Sequence, residues 1–166
     1  MNIRELISSG RRVITLLDRN RALHGNERKV DPILFGFLEA QFGGISRQHP
    51  VPMSGSTHPK RIDYRRGGNN PVVIELAVQP RRRTNTLYGS QNTSELRKLC
   101  RISSACLRVL LLLDLSDSAT ERAPLQATYS EQTAGRGNFR RHSVRVVYVH
   151  RQTSYHFIWR PTKMSA

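Results

Sequence analysis

The sequence predicts a single mixed α/β domain around one sheet. Three features predict it. An amphipathic helical repeat opens the chain. Two strand-like segments are closed by the turn Gly67-Gly68-Asn69-Asn70-Pro71. A later segment, 106–115, is almost wholly apolar, as a strand covered on both faces should be.

Residues 2–19 carry Ile3, Leu6, Ile7, Val13, Ile14 and Leu17 at helical spacing, with Gly10 as a weak point costing up to ~1 kcal/mol. Residues 20–30 are polar, include Gly25, and are expected to form a loop. Asp31-Pro32 then reads as N-cap and first residue of a second helix, which carries Ile33, Leu34, Phe37 and Leu38 and stops at Gly43-Gly44. Residues 45–59, with Pro50, Pro52, Gly55 and Pro59, read as a loop. Residues 61–66 and 72–79 form the predicted hairpin. Residues 80–92 read as an Arg- and Thr-rich loop, and 94–101 as a helix capped by Thr93 or Ser94. A helix near 119–131 is interrupted by Pro124, and 135–138 is a loop. A terminal hairpin pairs 144–150 with 155–160. The tail 161–166 is expected to be mobile.

The chain has 166 residues, within the range of one domain, and its length needs no disulfide or metal for folding. It contains no apolar stretch long enough for a membrane helix and no unbroken apolar run typical of a secretory signal. The two cysteines, Cys100 and Cys106, make no disulfide framework and read as small core residues. They predict a reducing, cytoplasmic setting. The formal net charge is +15, and 23 of the 27 cations are arginine. Arginine forks bind phosphate oxygens bidentately, so the surplus points to nucleic acid, DNA foremost. The cations cluster: Lys60, Arg61, Arg65 and Arg66; Arg81, Arg82 and Arg83; Arg97, Lys98 and Arg101; Arg140 and Arg141.

The pleat of the hairpin carries the chemistry. Val72, Ile74, Leu76 and Val78 define one face, assigned to the core, and Ile62 and Tyr64 are assigned to the same side. Glu75 and Asp63 then lie opposite one another on the other face, with Cβ atoms ~4.5–5.5 Å apart. Two carboxylates so close need compensation. A Mg²⁺ or Mn²⁺ ion would provide it, since hard oxygen ligands suit both. The alternative is an ion-pair ladder in which Arg61 and Arg65 flank Asp63.

At Pro59-Lys60-Arg61-Ile62-Asp63 and Val72-Val73-Ile74-Glu75-Leu76-Ala77-Val78-Gln79, the chain resembles the PD-(D/E)xK, or restriction-endonuclease-like, nuclease superfamily. The resemblance spans about 31–115 and implies an αβββαβ core with a mixed central sheet, here extended by a C-terminal β-hairpin. It implies Asp63 and Glu75 as metal ligands and catalytic groups, with a third acid from a preceding helix. Glu39 is the candidate for that acid, and Glu5 a weaker one. The family's lysine, which positions or activates the attacking water, falls on Ala77. Gln79, Lys60 and Lys98 remain open as substitutes. The implied activity is metal-dependent cleavage of DNA, with a homodimer or partner protein as the usual working form. A non-catalytic nucleic-acid-binding module and a basic scaffold for an acidic protein are the competing classes.

Overall fold

The computed structural model describes residues 1–82, 86–130 and 141–161. Four helices and six strands follow in order: α1 (Ile3–Arg19), α2 (Glu27–Phe42), β1 (Ile45–Val51), β2 (Lys60–Arg66), β3 (Val72–Gln79), α3 (Ser90–Leu99), β4 (Leu107–Asp114), α4 (Arg122–Ser130), β5 (Val144–His150) and β6 (Ser154–Trp159). The strands form one sheet in sequence order. β1, β2 and β3 run antiparallel as a meander. β4 lies parallel to β3 and β5 parallel to β4, and β6 closes the sheet antiparallel. The architecture is mixed α/β. No described helix is long and apolar enough to cross a membrane.

The sheet separates two apolar layers. Helices α1 and α2 cover one face through Leu6, Val13, Ile14, Leu17, Val30, Leu34 and Leu38, which meet Val72, Ile74, Leu76 and Val78. Helices α3 and α4 cover the other through Leu96, Leu99, Leu125 and Tyr129, which meet Val73, Ala77, Leu110 and Leu112. Burial on both faces explains the continuous apolar run of β4 and why all eight residues of β3 are buried.

Helix α1 begins with a capping box: the Asn2 side chain accepts the Glu5 N–H and the Glu5 carboxylate accepts the Asn2 N–H. Glu5 thereby belongs to a helix end and also pairs with the N-terminal ammonium. Gly10 is a packing requirement rather than a weak point. A Cβ there would stand 3.0 Å from Leu113 Cδ2 and 3.1 Å from Val149 Cγ2, so its absence lets α1 lie close against β4 and β5.

Several boundaries differ from the sequence expectation. Helix α2 starts at Glu27, not at Asp31-Pro32, with Asn26 in the extended N-cap conformation. Pro32 is tolerated inside it, and Asp31 instead accepts the Tyr64 hydroxyl and pairs with Arg47. Residues 45–51 form an edge strand rather than a loop. Pro50 fits there because an edge strand has one side without a ladder partner. Helix α3 starts at Ser90, four residues earlier than expected. Helix α4 begins at Arg122, so Pro124 falls in its first turn, where a missing N–H costs no bond. Cys100 is buried as expected, but Cys106 is exposed. The expected loop at 135–138 and the tail from residue 162 lie outside the described residues.

The close approach at Gly10 has a direct test. Gly10→Val should lower stability by about 1–3 kcal/mol through overpacking against β4 and β5. Gly36, in α2, has nothing within 4 Å of a built Cβ, so Gly36→Ala should raise stability by about 0.5–1 kcal/mol. Urea midpoints of the two variants, read against the parent chain, check both signs.

Candidate active site

The site grows from a break in the sheet. Strand β2 pairs with β3 through Arg66↔Val72, Arg65↔Val73 and Tyr64↔Ile74, the register the turn length predicts. Extending it would set Asp63 against Glu75. At that point Asp63 substitutes its side chain for the ladder: Oδ2 accepts the Leu76 N–H at 2.8 Å. On its other side, the β1–β2 register runs through Arg47↔Tyr64 and His49↔Ile62, leaving Gln48 across from Asp63. Gln48 has φ of 47°, the one non-glycine residue with positive φ among those described. Its amide Nε2 donates to Asp63 Oδ1 at 2.9 Å, and Arg61 holds its carbonyl at 3.1 Å.

This kink corrects one expectation. Ile62 and Tyr64 do not share a face. Tyr64 packs with the α1–α2 layer and Ile62 with the α3–α4 layer. An unbroken pleat would keep residues two apart on one side. The left-handed turn at Gln48 and the side-chain bond of Asp63 reverse that parity.

Glu75 faces the α3–α4 layer and is buried, 3% exposed. Helix α3 brings Lys98 Nζ to 2.7 Å from Glu75 Oε1 and 2.5 Å from Glu95 Oε2. Both contacts are ion pairs, so one ammonium bridges the two carboxylates. Lys98 Nζ donates to the Arg61 carbonyl at 3.2 Å, tying α3 to β2. Of the three substitutes for the lysine at position 77, Lys98 is therefore the one brought to Glu75. Lys60 is exposed at the start of β2. Gln79 is buried, its amide turned to the Pro80 carbonyl at 3.5 Å.

Burial raises the Glu75 pKa well above the usual carboxylate range, and the Asp63 charge pushes the same way. Lys98 opposes both, and loses. Burial also disfavours the Lys98 ammonium, but Glu75 and Glu95 outweigh it and hold the amine protonated.

The helical acid within electrostatic reach of Asp63 is Glu27, not Glu39. Glu39 is exposed and caps the end of α2, accepting the Gly44 and Ile45 N–H groups at 3.2 and 2.8 Å. Glu27, in the first turn of α2, is half-buried. Desolvation raises its pKa to about 7, reinforced by Asp63, Glu95 and Asp31. Glu27 is hidden in the sequence because residues 20–30 read as a loop, although Asn26 is a legible N-cap. So is Glu95, whose i, i+3 spacing to Lys98 was the available signal.

The arginines divide into roles. Neither Arg61 nor Arg65 pairs with Asp63, so the expected ladder alternative does not form. Arg66 reaches the Phe42 carbonyl at 3.4 Å. Arg101 binds the Ser54 and Gly55 carbonyls, each at 2.8 Å, and so braces the loop before β2. Arg81 pairs with Asp117 at 2.9 Å. Arg82 and Arg97 are exposed and Arg141 is half-buried. Arg83 and Arg140 lie outside the described residues.

As a metal-binding set, Asp63 and Glu75 offer hard carboxylate oxygens, although Glu75 Oε1 is already ion-paired with Lys98 Nζ at 2.7 Å. Among the described residues no three His, Cys, Asp or Glu side chains gather closely enough to enclose an ion by themselves. A Mg²⁺ site needs only one or two carboxylates when water and phosphate complete it, so the donor set fits that cation and Mn²⁺.

Comparison with protein-family models, with curated proteins and with solved structures gives no match in any of the three.

Two outcomes test this geometry. Gln48→Gly removes the positive-φ cost and should leave the urea midpoint unchanged or higher. Gln48→Ala keeps that cost and loses the amide, so it should lose about 1 kcal/mol relative to the Gly variant. The second outcome is a pH slope. Glu27 holds its proton to about pH 7 when folded but releases it near the ordinary glutamate value of 4.5 when unfolded. Its contribution to stability is present below the lower value and falls as pH rises through that window. Glu27→Gln should therefore gain stability relative to the parent between pH 5 and pH 8, measured by urea unfolding at the two values.

Proposed function

We propose that the chain is a metal-dependent nuclease that binds DNA and hydrolyses phosphodiester bonds, with a restriction-endonuclease-like arrangement. The observation that carries this reading is the meeting of Asp63 from β2, Glu75 from β3 and Lys98 from α3. These are the residue types the resemblance calls for. The lysine arrives from a neighbouring helix instead of from the position now held by Ala77. Also in support, the order α2-β1-β2-β3-α3-β4 is the αβββαβ succession that the resemblance implies.

Asp63 and Glu75 would hold Mg²⁺ or Mn²⁺. When bound, such a cation supplies positive charge to the phosphate oxygens and acidifies a water. Lys98 stays protonated, so it orients Glu75 and offers charge rather than accepting a proton. Glu27, titrating at about 7, is the group suited to take a proton from water near neutrality. Gln48 fixes the carboxylate plane of Asp63. The arginine surplus binds the phosphate backbone, with affinity that weakens steeply as salt rises.

One observation favours a second reading, a non-catalytic DNA-binding module. Lys98 bridges Glu75 and Glu95, so these two carboxylates already have a positive partner without a metal ion.

A plasmid-nicking assay with and without Mn²⁺ separates the two. For the nuclease, cleavage needs the cation. Asp63→Ala and Glu75→Ala should each reduce it at least ~100-fold while leaving DNA affinity intact or slightly higher, since each removes a negative charge near phosphate. Lys98→Ala should slow cleavage by about 10²–10³. DNA binding without any metal-dependent nicking, together with no Mn²⁺ binding by titration calorimetry, would leave the module as the better account.

A further inference from the structure

A cavity of about 620 Å³ lies between the 3₁₀ turn Arg21–Leu23 and the end of β3, lined by Arg21, His24, Arg81, Arg82 and Asp117 among others. Its charge is unbalanced. Asp117 is answered by Arg81 at 2.9 Å. The neighbouring Asp18 is answered by Arg151, through two bonds of 3.0 Å. Arg21 and Arg82 remain without an acidic partner among the described residues, and both are exposed where they line the cavity. His24 lies 3.4 Å from Asp18 with its side chain 12% exposed, yet neither ring nitrogen has a hydrogen-bond partner. Two guanidinium forks without an acidic partner among the described residues line one polar space together with His24, and such a space suits an anion that accepts several hydrogen bonds.

The position of the cavity narrows the anion. Gly25 lines it, two residues before Glu27, and Arg81 lies six residues beyond Glu75, two past the end of β3. At strand rise that is at most about 20 Å from the carboxylates. A DNA strand advances ~3.4 Å per nucleotide in a duplex, so one strand can reach both places.

We propose that this cavity is a phosphate-binding subsite, and that its ligand is a phosphate group of the nucleic-acid strand some nucleotides away from the Asp63–Glu75 site. The inference rests on the nuclease reading for its ligand, but not on cleavage for its test. The subsite positions the strand and adds affinity; Arg21 and Arg82 supply the donors, and His24 a third.

The experiment measures binding by the full chain in EDTA, so that cleavage does not enter. The probes are fluorescein-labelled oligonucleotides, single-stranded and duplex, each made with a 5′-hydroxyl and with a 5′-phosphate end. Arg21→Ala/Arg82→Ala, two exposed positions whose loss leaves the fold intact by circular dichroism, should weaken binding about tenfold. It should also lower the log–log salt slope by about 2, one for each phosphate contact removed. Arg82→Glu should weaken binding more than Arg82→Ala. An equal loss on both end types identifies an internal phosphodiester as the ligand. A loss confined to 5′-phosphorylated strands identifies a terminal phosphate. Either supports the subsite. Unchanged affinity and slope on every probe overturns it. So does a melting-temperature rise with inorganic phosphate, abolished in the double variant, when no oligonucleotide distinguishes that variant from the parent. Failure of plasmid nicking by the parent chain would reject the nuclease reading while leaving these binding results as they stand.

Discussion

Strands β2 and β3 pair for three residues and then part at Asp63, and the candidate site depends on that parting. A continued ladder would have placed a backbone carbonyl where the Asp63 carboxylate now receives the Leu76 N–H. The exchange keeps a buried donor satisfied, which is the condition any break in a covered sheet must meet. It also opens the sheet locally. Through that opening Glu27 of α2, on one side, lies within electrostatic reach of Glu95 and Lys98 of α3, on the other. Gln48 holds the opening in place by adopting a backbone conformation that a glutamine rarely takes.

The electrostatics follow from placing these acids where water is scarce. Among the described residues, the carboxylates Glu27, Asp63, Glu75 and Glu95 share the field of Lys98, and the shortfall of positive charge falls on the most buried of them. Glu75 cannot ionise at its usual pH because desolvation and Asp63 both oppose it. A site so short of positive charge costs folding free energy as pH rises. Structural ion pairs normally come closer to balance, and groups with perturbed titration tend to gather where chemistry is done. The same logic runs with opposite sign at the end of β3, where Arg21 and Arg82 exceed the acids near them. The acidic cluster around Glu75 and the basic cavity just past the end of β3 therefore carry opposite charge.

The basic surplus itself is not all available to such a ligand. Arg101 braces the loop before β2, Arg61 holds the Gln48 carbonyl, and the buried Arg108 caps the Ile102 and Ala105 carbonyls at 2.5 and 2.6 Å. Arginine serves here as a donor to backbone carbonyls that the loops leave unpaired. Net charge counts these residues alongside the free ones, so composition overstates the binding footprint.

The sequence by itself determined the mixed α/β class, helix α1, the β2–β3 hairpin with its register, the doubly covered β4 and the final hairpin. Each of these rests on local periodicity or on a short turn, which a linear reading can follow. Turn length fixes that register as far as Tyr64↔Ile74, but the next expected pair, Asp63 with Glu75, is not part of the ladder, because the Asp63 side chain takes the Leu76 N–H instead. Strand β1 stayed hidden because its Pro50 and polar residues look like a loop until an edge position excuses them. Which acid joins the pair, and which lysine, was decided only by tertiary structure. Glu27 and Lys98 sit 36 and 35 residues from Asp63 in the chain, and no local pattern records that two helices on opposite faces of a sheet will converge on one gap in it. Glu39, better placed by periodicity, was drawn instead to the nearest unpaired N–H groups at its own helix end. Spacing specifies partners within an element; burial and the closing of the sheet select them between elements.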